Sequence, residues 1–178
     1  MLKKILLALV ALVVVFVVVV ALQPSKFHVE RSVTVAASPA AVFAEVNDFH
    51  KWDAWSPWAK LDPDAKVGFE GPEAGVGTVM TWAGNSEVGA GKMTLVESRP
   101  DELVKMRVDF TEPFEGSSMS QFTFKPEDGG ETGVTWSMDD EHTFIEKAMC
   151  LIMNGKGMVG EQMEKGLSQL KEVAEATN

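Results

Sequence analysis

Met158-Val159-Gly160-Glu161-Gln162-Met163-Glu164-Lys165-Gly166-Leu167-Ser168-Gln169-Leu170-Lys171-Glu172-Val173-Ala174-Glu175-Ala176 lies at the C-terminus and decides how the rest of the chain can fold. Val159, Met163, Leu167, Leu170 and Ala174 recur at helical spacing. Glu161, Glu164, Lys165, Lys171 and Glu172 fall on or near the other side, so the spacing predicts a long helix with one apolar stripe. Gly160 and Gly166 each weaken such a helix by up to about 1 kcal/mol relative to alanine. Their presence marks either a close approach of other chain or volume left open. Immediately upstream, Asn154-Gly155-Lys156-Gly157 is a break, and His142 to Met153 predicts a shorter helical piece before it.

Before the helices the pattern is that of strands. Phe27 to Val35 alternates apolar and polar residues. Further strands are predicted over 66–70, 77–83, 89–97, 102–111, 118–125 and 131–138, separated by turn chemistry such as Ala83-Gly84-Asn85 and Glu127-Asp128-Gly129-Gly130. In the segment 102–111, Val104, Met106, Val108 and Phe110 share one face, and Lys105, Arg107 and Asp109 take the other. Phe122 with Phe124, and Val134 with Trp136 and Met138, repeat that alternation. The result is an antiparallel meander with one wet and one dry side. A dry face needs a cover, and the only amphipathic element long enough is the terminal helix.

Between the first strand and the meander, Ser38-Pro39 reads as a helix cap with proline at the first position, opening a short helix to Val46. Then comes Asn47-Asp48-Phe49-His50-Lys51-Trp52-Asp53-Ala54-Trp55-Ser56-Pro57-Trp58, with three of the five tryptophans within seven residues. Steps of three place Trp52 and Trp55 on one face of a short helix that Pro57 ends. Such a cluster either packs as core or forms an aromatic lid over a pocket.

Ile5 to Leu22 is an unbroken apolar run preceded by Lys3 and Lys4 and ended by Gln23-Pro24. With its flanks it is just long enough to cross a bilayer core, which takes about 20 residues. Residues 1–24 therefore read as an N-terminal transmembrane anchor, with the basic flank in the cytoplasm and residues 25–178 as one exported domain. A cleaved signal peptide is the alternative; the length of the run favours a retained anchor. Removing the two anchor lysines from the formal net charge of −10 leaves −12 on the rest. That body repels phosphate backbones, which speaks against nucleic acid as a partner. Cys150 is the single cysteine and sits in an apolar stretch, so it forms no internal disulfide and reads as a structural thiol. His28, His50 and His142 are scattered, and nothing in the sequence calls for a metal or another cofactor.

The run Arg31-Ser32-Val33-Thr34-Val35, the helix start Ala37-Ser38-Pro39-Ala40-Ala41-Val42-Phe43, and Asn47-Asp48-Phe49 followed by Trp52, Trp55 and Ser56-Pro57-Trp58 resemble the SRPBCC group of the START-like superfamily. More narrowly they resemble its polyketide cyclase/dehydrase-like branch. The likeness continues through Gly75-Val76-Gly77, Trp82-Ala83-Gly84-Asn85, Val88-Gly89-Ala90-Gly91, Thr135-Trp136-Ser137-Met138 and Val159-Gly160 to Lys165-Gly166-Leu167. It implies an α+β helix-grip fold: a curved antiparallel sheet of seven strands around a long C-terminal helix, two small helices at one end, and a hydrophobic tunnel between. Members bind lipids, sterols, polyketides, quinones or plant hormones, and a few catalyse cyclisation or dehydration. Fold does not fix activity.

The expected function is a membrane-anchored binding protein for a hydrophobic small molecule or lipid on the exported side of a bacterial inner membrane. The ligand would sit between sheet and helix, touching a set drawn from Trp52, Trp55, Met80, Trp82, Met106, Phe110, Phe122, Phe124, Trp136, Met138 and Met163. No residue is assigned a catalytic role. A cyclase or dehydratase would need a proton shuttle, for which His50, Asp139, Asp140, Glu141 and His142 are candidates, although acids before a helix more simply act as caps. An inward carboxylate would favour the enzyme. A filled interior with an exposed apolar patch would favour an envelope interaction or stress module.

Overall fold

The structure, a computed structural model, describes residues 1–177. Helix α1 (Leu2–Leu22) leads through Gln23 and Pro24 into β1 (Lys26–Val35). Helix α2 (Pro39–Asn47), a 3₁₀ turn (Phe49–Lys51) and the single-turn α3 (Trp52–Trp55) follow. The meander is β2 (Lys66–Glu70), β3 (Val79–Ala83), β4 (Ala90–Arg99), β5 (Leu103–Glu112), β6 (Gly116–Pro126) and β7 (Thr132–Glu141). Helices α4 (Phe144–Met153) and α5 (Gly155–Ala176) complete the chain. All seven strands form one antiparallel sheet in the order β1-β7-β6-β5-β4-β3-β2. This is the α+β helix-grip architecture that the sequence predicts.

Local chemistry sets the boundaries. Ser38 Oγ accepts from the Ala41 N–H with Pro39 at the first helical position, which starts α2. Asp48 accepts from the His50 N–H and restarts the chain into the tryptophan turn. Two boundaries differ from expectation. Strand β7 runs on to Glu141, and α4 starts behind Thr143, which forms a reciprocal capping box with Glu146. The acids 139–141 are therefore strand residues and not the caps expected of them. The predicted four-residue break before α5 shrinks to Asn154 (φ 52°), because one left-handed residue is enough to redirect the chain, and Gly155 and Gly157 join the helix.

Residues directly opposed on neighbouring strands share a face. The inner face can thus be followed across the sheet: Arg31, Trp136, Phe122 and Val104 form one row, and Val29, Met138, Ser120, Met106 and Leu95 the next. Helix α5 lies over the β1 side, with Met163, Leu167, Leu170 and Ala174 buried against it, and α2 and α3 close the remaining side. The two glycines mark close approach, not open volume. A Cβ at Gly166 would overlap the Trp136 ring and Pro57, and one at Gly160 would overlap the Arg31 guanidinium.

Candidate functional site at the uncovered end of the inner face

Seven of the residues expected to touch ligand form solid packing instead of a visible cavity wall. Trp52, Trp55, Met106, Phe122, Phe124, Trp136 and Met163 are each at most 3% exposed. The Phe122 and Trp136 rings stack at 4.6 Å, and Trp52 and Trp55 meet both edge-on. The indole N–H groups of Trp52 and Trp55 donate to the carbonyls of Val46 and Glu45, at 3.0 and 3.2 Å. A ligand at this level would have to displace rings that already have partners. The other four, Met80, Trp82, Phe110 and Met138, are only partly covered, and they lie on the inner face toward the Phe27 end of the sheet.

The geometry of that end follows from the register. Phe27 opposes Asp140, Ser118 opposes Val108, Val108 opposes Met93, and Met93 opposes Met80. Ser118 and Asp140 adjoin, one step beyond the Met119–Asp139 pair. The next row outward holds Gly116, Phe110, Gly91 and Trp82, with Trp82 edge-on to Phe110 at 5.8 Å. This row sets bulky apolar side chains beside glycines, and the Trp82 ring lies over Gly91, where a Cβ would overlap it.

Three polar groups interrupt it. Ser118 Oγ is buried and has no hydrogen-bond partner among the described residues. An orphaned buried hydroxyl of this kind costs about 1–3 kcal/mol and marks a place where a further hydrogen-bonding group belongs. Asp140 is the inward carboxylate; burial raises its pKa, opposed by the Glu141 N–H and by His142. His142 Nε2 lies 3.9 Å from Asp140 Oδ2, and its ring stacks on Phe27 at 4.6 Å.

At Phe27 the row opens into a cleft of about 250 Å³ lined by residues of the α1–β1 junction, α4 and the start of α5. Lys26, Lys147 and Lys156 border it, with Phe27, Cys150 and Leu151 as its apolar side. Lys147 Nζ donates to the Gln23 carbonyl at 3.3 Å, and Lys156 Nζ stands 5.6 Å over the Phe27 ring. A larger, open hollow at the β6–β7 turn is bounded by Pro126 and the acids Glu127, Asp128 and Glu131, with no aromatic side chain among them.

Sequence reasoning missed Phe27, Ser118 and the three lysines. It named Asp140 and His142 but read the acid as a cap. The available signal was parity: two residues beyond Met138, Asp140 shares the inward face if the strand continues. Of the other candidates, His50 stacks on Phe69 and bonds Asp48, and Asp139 pairs with His28 on the outer face. Of three further glutamates in the meander, Glu97 pairs with Arg99, and Glu70 and Glu87 are exposed. Cys150 is half-buried in the cleft wall.

A family model described as "polyketide cyclase / dehydrase and lipid transport" matches residues 26–175. Among solved structures, the chain is similar to a START superfamily protein from Mycobacterium smegmatis, with 16% identity, a TM-score of 0.62, and 85% of this chain and 99% of that one covered. It is also similar to the Zhui aromatase/cyclase from Streptomyces sp. R1128, with 20% identity, a TM-score of 0.59, and 84% and 94% covered. A third likeness is to the Aha1 dimer from Colwellia psychrerythraea, with 14% identity, a TM-score of 0.60, and 84% and 96% covered. At these identities the structural likenesses show the fold alone. No curated protein matches in sequence. The family model spans the whole sheet and nearly all of the helix that grips it, and on that match the chain belongs to the polyketide cyclase/dehydrase and lipid transport family.

Proposed function

We propose that this chain is a membrane-anchored binding protein for a hydrophobic small molecule or lipid, held at the uncovered end of the inner sheet face and not deep beneath α5. The observation that carries this reading is the orphaned Ser118 hydroxyl, a buried polar group in the row of Phe27, Val108, Met93 and Met80, next to the partly covered Met138 and Phe110. Apolar burial at about 25 cal/mol per Å² would supply affinity. Ser118, Asp140 and the flanking lysines would orient a polar head. Met80, Trp82, Phe110 and Met138 are the members of the expected ligand set that a guest reaches without repacking the core.

Helix α1 supports the anchoring half of the proposal. It is 21 residues long and, after Lys3 and Lys4, apolar throughout. Inserted in a bacterial inner membrane with Lys3 and Lys4 inside, it would leave the domain on the periplasmic side. A tether keeps the pocket mouth near a ligand that lives in lipid.

Native mass spectrometry of the full chain released from membranes tests the binding. A co-purifying amphiphile is expected, with weaker retention in Trp82→Ala and Phe110→Ala. No bound species, together with no thermal shift across a lipid, quinone and polyketide panel, rejects the reading. A second reading, a cyclase or dehydratase on a polyketide-like substrate, draws on one observation, the inward Asp140 carboxyl beside His142. Turnover of a poly-β-keto thioester that disappears in Asp140→Asn would favour it.

A further inference from the structure

Helix α4 is amphipathic in the wrong sense for a domain surrounded by water. Phe144, Ile145, Ala148, Leu151 and Ile152 share one side, at the spacing of a core-facing stripe. That side faces away from the protein: Ile145 and Ile152 are each 70% exposed, and Phe144 and Leu151 are exposed as well. Its charged residues face inward instead. Glu146 closes the cap with Thr143 and lies beside Gly116, and Lys147 reaches the Gln23 carbonyl. Met153 and Met158, on either side of the α4–α5 junction, are exposed as well. On the neighbouring β5–β6 turn, which meets α4 at Gly116, Phe114 is also exposed.

Resting on the anchoring role of α1, we infer that the outward face of α4, with Phe114 beside it, is embedded in the interfacial layer of the same bilayer. The occupant is an anionic lipid surface. Two further observations select it. The patch lies on a helix that packs against the membrane span and reaches its end, where Lys147 bonds the Gln23 carbonyl. In a body that carries −12 outside the anchor, Lys26 and Lys156 stand at this junction, where phospholipid headgroups would lie. Lys26 has Glu141 opposite it in the sheet, so the attraction is local. A helix in this position also makes the mouth of the cleft open onto lipid.

The test uses the full chain in vesicles of phosphatidylethanolamine with a minority of phosphatidylglycerol. Single cysteines are introduced as Ile145→Cys and Ile152→Cys in a Cys150→Ser background, with Glu131→Cys at the remote β6–β7 turn as reference, and each is labelled with a fluorophore. Doxyl lipids should remove most of the emission at 145 and 152 and little at 131, and aqueous iodide on both sides should do the reverse. Iodide quenching at 145 and 152 equal to that at 131, in protein that resists carbonate extraction, overturns the inference and leaves the anchor standing. Protection from both quenchers, with cross-linking between chains, also overturns it and assigns the face to a second copy. Extraction by carbonate removes the anchor, and this inference with it.

Discussion

The six-membered ring of Trp136 lies against the backbone of Gly166, so that β7 and α5 touch where neither leaves room for a methyl group. Pro57, just past the tryptophan turn, closes the same spot from the other side. Three segments distant in sequence are thereby locked together, and the interior at this level is side chain and not void.

Gly166→Ala should therefore destabilise the domain. Alanine improves helix propensity by up to about 1 kcal/mol. Overpacking a filled core costs about 1–3 kcal/mol, and here the obstructing atoms belong to a buried ring and a proline, which cannot swing away. Gly160→Ala meets only the end of the Arg31 side chain, which can move at the expense of its ion pair with Glu164, so the propensity gain should offset part of its cost and leave it milder than Gly166→Ala. Urea denaturation of both variants checks the contrast, and equal destabilisation would refute it.

Trp136 Nε1 donates to Ser120 Oγ at 2.8 Å, and both groups are buried. Ser120→Ala leaves that indole N–H unpaired and should lower stability by roughly 1–3 kcal/mol. Ser118→Ala removes a hydroxyl that has no partner to lose, so its effect on stability should be small while amphiphile retention falls. Parallel melts and binding assays separate the two serines. If Ser118→Ala proves the more destabilising, the ligand-handle assignment does not hold.

The architecture was readable because each strand alternates cleanly and the terminal stripe is the only long cover for the dry face. The site was harder to read, for a physical reason: alternation says which residues face inward, not how far the covering helix reaches along them. Trp136 and Trp82 carry the same inward signal, yet one is sealed by α5 and α3 and the other is left half-open. The lysines of the cleft gave no signal at all. Lys26, Lys147 and Lys156 are distant in sequence and meet only because the chain leaves α1 beside the start of α5.

Thr143 and Glu146 hold the first turn of α4, with the Thr143 N–H donating to Glu146 Oε2 at 2.6 Å. Thr143→Ala should weaken α4 by about 1 kcal/mol. The hydrogen bonds with the Thr143 side chain and backbone hold the Glu146 pKa below the ordinary glutamate range. Because the folded value is depressed, this contribution is present above the ordinary range and is lost as pH falls through the folded value. Amide protection in α4 should therefore fade on acidification, and Glu146→Gln should flatten that dependence. Protection independent of pH in the native chain would contradict the box as the anchor of this helix.

Asp140 titrates in the opposite sense. Burial at the inner face disfavours its charged form, and the Glu141 N–H and His142 only partly compensate, so its folded pKa lies above the ordinary aspartate range. The native state then holds the proton more tightly than the unfolded chain does. The resulting stabilisation is present below the ordinary range and disappears as pH rises through the folded value, leaving an unfavourable buried charge at neutrality. Asp140→Asn keeps an oxygen acceptor for the Glu141 N–H and removes that charge, so it should raise the unfolding midpoint at neutral pH, with the gap closing in acid. Asp139→Asn is the control, because that side chain is 56% exposed beside His28 on the outer face and should bring no gain. Thermal melts of the three chains in one detergent, at neutral and acidic pH, decide the matter. Matching midpoints for Asp140→Asn and the native chain at neutral pH would mean that the carboxylate is as well solvated in the fold as outside it, and it would then be unsuited either to orient a ligand or to move a proton.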